Sequence, residues 1–295
     1  MTAHAGLERA EWLVFHGAIN ESLPVLDTLQ GVSGRPAVHT AWLRGVALGA
    51  CGRYGQALDV IEEISPGTPE YSMARSLRGS LLRQLGSHDL ALRADREAMA
   101  SAATPGAAVE AMTGLAADAV GLQDALTAST TLAQGRSLLN RVAADPRQGQ
   151  TWWRHRVRMA WVQCEVALLE SRYEDALAHA KEGIDAAEAA TAPRHVAKSL
   201  LFQSVALIES DRKDEAVPDL RRSLMLSTSM GFLAVAWPTH AVLAALLKAV
   251  EPDKAHAHFV EASAIADIVR EGLTGSLAQR WDERADIVAL HREAS

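Results

Sequence analysis

Strand-forming runs are missing from this chain. No stretch of β-branched residues alternates with polar ones over strand length. Aromatics are scarce, at 5%, whereas hydrophobic residues reach 48% and roughly a fifth of the chain is alanine. Alanine has the best intrinsic helix propensity, and its small side chain lets helices approach closely. Together these features exclude sheet-based folds and predict an all-α protein. The two cysteines, Cys51 and Cys164, lie far apart and outside any CxxC spacing, which excludes a disulfide framework and a cysteine-based zinc site. Arginine far outnumbers lysine, the first lysine is Lys181, and the net charge is −7. A mildly acidic chain is a poor generic binder of nucleic acid. The longest apolar run, Phe232 to Val250, is broken by Pro238, Thr239, His240 and Lys248, so it reads as a packed helix rather than a membrane span. The opening residues MTAHAGLERAEW lack the basic and then apolar regions of a signal peptide. The expectation is a cytoplasmic protein with no membrane partner.

Signatures of catalysis are also absent. No Gly-rich phosphate loop follows a strand, and GVSG at 31–34 lacks the spacing of a nucleophile elbow. His256 and His258 are two apart, which puts them on different helix faces; a metal pair wants a spacing of three or four. Glu62 and Glu63 read as a solvated face, as do Asp118 and Asp124, because paired carboxylates without a positioned partner are weak acid–base candidates. Cys164 reads as core. The chain is therefore expected to be non-enzymatic, with no catalytic residue, no metal and no cofactor.

What is present is a repeat. GRYGQALDVIEEI begins at Gly52, GSHDLALRADREAM at Gly86, and GAINESLPVLDTL at Gly17. SRYEDALAHAKEGI at Ser171 and DRKDEAVPDLRRSL at Asp211 follow after wider gaps. Five residues after each opening position stands a small residue: Ser22, Ala57, Ala91, Ala176 and Ala216. Seven residues before each stands another: Ala10, Gly45, Gly79, Cys164 and Ser204. One small residue on each arm of a helical hairpin lets two backbones cross tightly, so Gly45 and Ala57 should touch. A fourth unit is placed on Gly114 and Gly121, with Leu126 in the alanine position. Asp95 falls where an apolar residue is usual. Pro36, Pro66, Pro69, Pro105, Pro146 and Pro193 fall between hairpins, while Pro24 and Pro218 are expected in the first turn of a second helix.

Gly45, Gly52, Tyr54, Ala57 and Pro69 match the signature of the tetratricopeptide repeat (TPR), and the chain resembles that family over nearly its whole length. The resemblance implies a right-handed αα superhelix: a TPR-like solenoid of about seven helical hairpins plus a C-terminal capping helix. That last helix would bury Leu277, Trp281 and Val288, with Arg280, Glu283 and Arg284 on its polar back. Two sections of one continuous solenoid are expected, 1–145 and 151–295, joined by the weak linker DPRQGQ. Regulators with such repeats carry a helix-turn-helix domain, for which this chain, with repeats starting near Leu7, leaves no room.

The stretch TWWRHRVRMAW at 151–161 concentrates three tryptophans and three arginines. On the repeat frame, Trp153, Val157, Ala160, Cys164 and Ala167 form its buried stripe. In the TPR family the concave groove is lined by the second, fifth and ninth positions of each first helix. The resemblance therefore implies a groove of Arg158, Trp161 and Glu165, with Arg154 on the same stripe. It adds His39, Trp42 and Val46; Met73, Ser76 and Ser80; and Lys198, Leu201 and Val205. The partner-binding candidates are Arg154, Arg158, Trp161, Glu165, His39, Trp42, Met73 and Lys198. Arginine and tryptophan dominate many interfaces, so a protein segment with acidic and apolar residues is the expected partner. Trp161 would then be dispensable for folding. A plainer reading stays open beside it, in which Trp161 packs on a neighbouring hairpin and the arginines are solvated. The groove positions lack the lysines and asparagines that would clamp a terminal carboxylate of a chaperone. Two functions remain: a scaffold binding a partner segment in its groove, or a small-ligand or peptide-sensing module acting in trans with a separate regulator. Buried groove tryptophans closing a compact pocket would favour the second. A homo-oligomer is left open.

Overall fold

The computed structural model describes residues 3–29, 34–144 and 152–295, and every regular element among them is a helix. The first four hairpins are α1 (Ala3–His16) with α2 (Ile19–Asp27), α3 (Arg35–Ala50) with α4 (Tyr54–Glu62), α5 (Tyr71–Gln84) with α6 (His88–Ala100), and α7 (Pro105–Gly121) with α8 (Ala125–Ala143). Three more follow: α9 (Trp153–Leu169) with α10 (Tyr173–Ala189), α11 (Pro193–Glu209) with α12 (Lys213–Met230), and α13 (Leu233–Leu247) with α14 (Pro252–Glu271). Two short helices close the chain, α15 (Gly275–Asp282) and α16 (Ala285–Ala294). This is the expected TPR-like superhelical solenoid. The capping element is a pair of helices rather than one.

The repeat motif works through the backbone of the turn. Gly52, Gly86, Ser171 and Asp211 take left-handed φ values of 78°, 76°, 59° and 62°. The N–H of each following residue then bonds back into the preceding helix, as from Arg53 to the Leu48 carbonyl at 2.9 Å and from Arg172 to that of Ala167 at 2.7 Å. This left-handed C-terminal cap satisfies carbonyls that the helix end would otherwise orphan. The crossing pairs then meet: a Cβ built on Gly45 would overlap Ile61 and lie 3.7 Å from the Ala57 carbonyl oxygen.

The same motif corrects the frame of the fourth unit. Its left-handed residue is Gln123 (φ 62°), followed by the cap bond from Asp124 N–H to the Ala119 carbonyl. The crossing residues are thus Ala116 and Ala128, both wholly buried, and Leu126 is 77% exposed. Gly121 attracted the frame by residue type, but the turn lies two residues later. Pro24 and Pro218 likewise fall inside their helices as the sixth residue, beyond the first turn. Pro36, Pro105 and Pro193 do open helices, where a missing N–H costs nothing. Arg284 breaks the last segment with extended backbone (φ −64°, ψ 127°). That break shifts the phase, so Ile287 and Leu290 are buried and Val288 is 54% exposed. The linker DPRQGQ lies outside the described residues.

The superhelix returns on itself. Helix α13 meets α3, α14 meets α4, and α11 meets α1. A Cβ on Gly55 would overlap the backbone carbonyl of Gly272, so only glycine permits that approach. Arg280 pairs with Asp89 at 2.7 Å, and Arg284 donates to the Gln84 carbonyl at 2.6 Å while lying 4.9 Å from the Trp281 ring centre. The expected polar back of a terminal helix is here a joint with the early repeats. The return narrows the concave groove into a partly open interior.

Candidate functional site

Helix α9 is buried on nearly every side because it stands between α7 and α11 while its other face meets α10. Arg156 is exposed, whereas Arg154 and Arg158 are mostly buried and are matched inside. Glu110 of α7 takes both: Arg154 donates to it at 3.1 Å, and the Nε of Arg158 lies 2.8 Å away. Arg154 also lies 5.5 Å from the Phe15 ring centre and 5.8 Å from that of Trp42, spanning from α9 to α1 and α3. Burial pushes the Glu110 carboxyl up, but Arg154, Arg158 and His155 overcome it and hold the group at about 2.

That depression has a sign that can be checked. Glu110's contribution to stability should be full above its unfolded pKa, about 4.5, and lost as pH falls towards 2. The stability gap between wild type and Glu110→Gln, from urea unfolding, should therefore shrink steadily between pH 5 and pH 2.5. A gap that stays constant over that range would show that the two arginines do not act on an ionised Glu110.

Trp161 is 7% exposed, and its indole N–H donates to Ser199 Oγ of α11 at 2.7 Å. His195 and Phe202 lie roughly parallel to its ring, at 5.5 and 5.9 Å between centres, and Lys198 Nζ sits 4.7 Å from its centre. Trp161 therefore fastens α9 to α11, which contradicts its expected dispensability for folding. One edge still borders the interior. Trp42, 5% exposed, packs on Phe15 and His39, and His39 faces Glu11 and Glu70 at 3.7 Å each.

Across the interior, Arg83 of α5 reaches between Asp95 of α6 and Asp118 of α7. It bonds Asp95, Asp118 at 2.8 Å and the Gly114 carbonyl at 3.2 Å, and both carboxylates are wholly buried. Asp118 is thus no solvated face, and Asp95 fills its apolar position by being matched with a guanidinium. A Cβ on Gly79 or Gly114 would overlap the Asp95 carboxylate, so both glycines make room for it. Burial drives Asp95 up to about 7 and raises Asp118 as well. The remaining doubted acids behave differently: Asp124 caps α8 by accepting from Thr127 N–H at 3.0 Å, and Glu62 pairs with Arg75 and Arg78.

Three adjoining cavities of about 260, 210 and 80 Å³ occupy the interior. His39, Trp42, Met73, Arg154 and Arg158 line the first; Arg158, Trp161, Glu165 and Lys198 line the second. The geometry thus brings all eight candidate residues to the walls of adjoining, partly open cavities. Arg158 and Ser80 border all three cavities. Leu201 and Val205 are not among the lining residues; Phe202 is, together with Arg194 and His195 at the start of α11. Glu110, Arg83, Arg194 and His195 were missed by sequence reasoning. An acid at an apolar position facing a glycine in each neighbouring first helix was the available signal for the Arg83 cluster. A larger open depression, about 670 Å³ between α8 and α10, contains none of the candidate residues. Among the described residues no cluster of His, Cys, Asp and Glu could hold a metal ion, and no helix is long and apolar enough to cross a membrane.

Comparison with solved structures places the fold. The chain is similar to a Rap protein complexed with competence and sporulation factor: TM-score 0.64 and 11% identity over 98% of this chain and 86% of that one. It is similar to the APC/C hetero-tetramer Cut9–Hcn1, with TM-score 0.60 and 18% identity over 90% of this chain and 48% of that one. A third likeness is to a signal transduction ATPase with a tetratricopeptide repeat sensor from Pyrococcus horikoshii. Its TM-score is 0.54, with 12% identity over 85% of this chain and 41% of that one. The chain spans less than half the length of the latter two. Sequence comparison finds no matching family model and no matching curated protein. At these identities the likeness defines a class by fold: this is a TPR-like helical-repeat protein.

Proposed function

We propose that the chain is a sensing module that takes a short peptide carrying acidic and apolar groups in the interior of its superhelix. The observation that carries this reading is the closure of the solenoid around buried Trp42 and Trp161. It leaves adjoining cavities whose total volume suits a ligand of a few residues and falls within the range of roughly 300–1,000 Å³ usual for small-ligand sites. The Rap protein of the same fold, solved with competence and sporulation factor, supports a ligand-taking role for such a solenoid. Binding here would bias how firmly the early and late hairpins meet, and a separate regulator would read that change.

A thermal-shift screen with short peptides of defined sequence tests the reading. A peptide at about 100 times its dissociation constant should add about 2.7 kcal/mol of stability. Stabilisation by segments of some twenty residues or by folded proteins, with none from short peptides, would restore the open-groove scaffold instead. Tight binding of single-stranded RNA that collapses as salt rises would sink both readings.

A further inference from the structure

The smallest cavity differs from its neighbours in charge. Arg154, Arg158, Arg194 and Lys198 line it, His195 joins them, and it has no carboxylate in its lining. Two of these cations have an acid at hand, since Glu110 holds Arg154 and Arg158. Glu165 acts on Lys198 from the adjoining cavity without coming within ion-pair distance, and Arg83 is matched by Asp95 and Asp118. Among the described residues no acid pairs with Arg194. It stands in the first turn of α11, the positive end of a helix dipole, which is an unfavourable place for a cation. His195 is 2% exposed, and its Nδ1 has no hydrogen-bond partner among the described residues. Four cations and an unanswered imidazole nitrogen around one small void are a poor arrangement when empty and a good one around an anion.

We infer that this cavity is an oxyanion subsite, shaped for one carboxylate or phosphate group held by Arg194, Lys198, Arg158 and the His195 ring. A void of about 80 Å³ has room for one such group and little more. Burial and the neighbouring cations bring Arg194 down to about 9, and they bring Lys198 down to about 8 against the opposing pull of Glu165. An anion among them reverses both shifts. The two larger cavities on either side, with their aromatic walls, take whatever carries the anion. This deepens the proposed function, because it assigns the acidic group of the ligand a seat.

Inorganic phosphate and succinate, each against chloride at matched ionic strength, are the probes. Thermal melting should rise by about 3 °C per tenfold increase in phosphate or succinate above the dissociation constant, and not with chloride. Whichever probe acts at lower concentration identifies the group preferred. Arg194→Met should melt higher than wild type without anion, because it removes an unmatched cation, and should lose the anion response. In dimethyl-lysine NMR, Lys198 should titrate about one unit higher with the anion bound. Arg194→Met melting lower while keeping the full response would overturn the inference, as would equal effects from chloride. Phosphate stabilisation without any short-peptide binding leaves the subsite standing and removes the peptide reading. Short peptides binding equally well with all their carboxyl groups amidated, and no response to either anion, does the opposite.

Discussion

Arg83→Met should lower folding stability by about 3–5 kcal/mol near pH 8, measured by urea unfolding, because it strands two buried carboxylates. Arg83 is 12% exposed, and Asp95 and Asp118 are 0% exposed, so water cannot substitute for the guanidinium. The effect has a pH signature. Asp95 has a folded pKa raised to about 7 from 3.8, so its protonated form is favoured in the fold. The contribution of that proton is fully present below pH 3.8 and is lost as pH rises through 7. In the variant both carboxyls should take up protons more readily still. The deficit should be full at pH 8 and shrink as pH falls towards 4. Leucine at positions 95 and 118 in the Arg83→Met background should recover most of the loss, since apolar residues of similar shape often replace a buried ion cluster at little cost. A deficit below about 1 kcal/mol at pH 8, or one that grows on acidification, would show that Arg83 does not neutralise the pair.

That cluster marks where sequence reading stops. Most of the hairpins are legible because they rest on local chemistry: small residues seven before and five after a left-handed turn position, as with Gly45, Gly52 and Ala57. Ser171 and Asp211 hold the frame without glycine, but at Gln123 a glycine two residues earlier, Gly121, draws it away and only the backbone shows the turn. The lining of the interior was legible at Arg158, Trp161 and Glu165 because groove positions recur along a first helix. Which of those side chains is free was not, because that depends on closure. Gly55 and Gly272 meet only after the small rotations between hairpins have accumulated over most of the chain, and no local pattern encodes that sum. Arg284 looked like polar backing until the third hairpin and the end of the chain met around it.

Trp161→Ala should cost about 3–5 kcal/mol of stability, as large-to-small changes of buried aromatics do. The ring contributes packing between two parallel neighbours, a donor to wholly buried Ser199 and a face for Lys198. All of these lie on α11, so the loss falls on the α9–α11 contact that walls the interior. Trp161→Phe separates the contributions: it keeps a ring between His195 and Phe202 and removes the N–H donor, so its cost should be about 1 kcal/mol. Near-UV circular dichroism of Trp161→Ala should lose aromatic signal before far-UV helix signal falls, because the stack sits between hairpins rather than within one. Binding defects in this variant would report a disturbed interior rather than a lost ligand contact, whereas Lys198→Met, on the same cavity wall, probes contact directly. A melt of Trp161→Ala within about 1 kcal/mol of wild type would mean that α9 and α11 are held by the aliphatic contacts around Val157 and Leu200 alone. The indole would then be an available binding face.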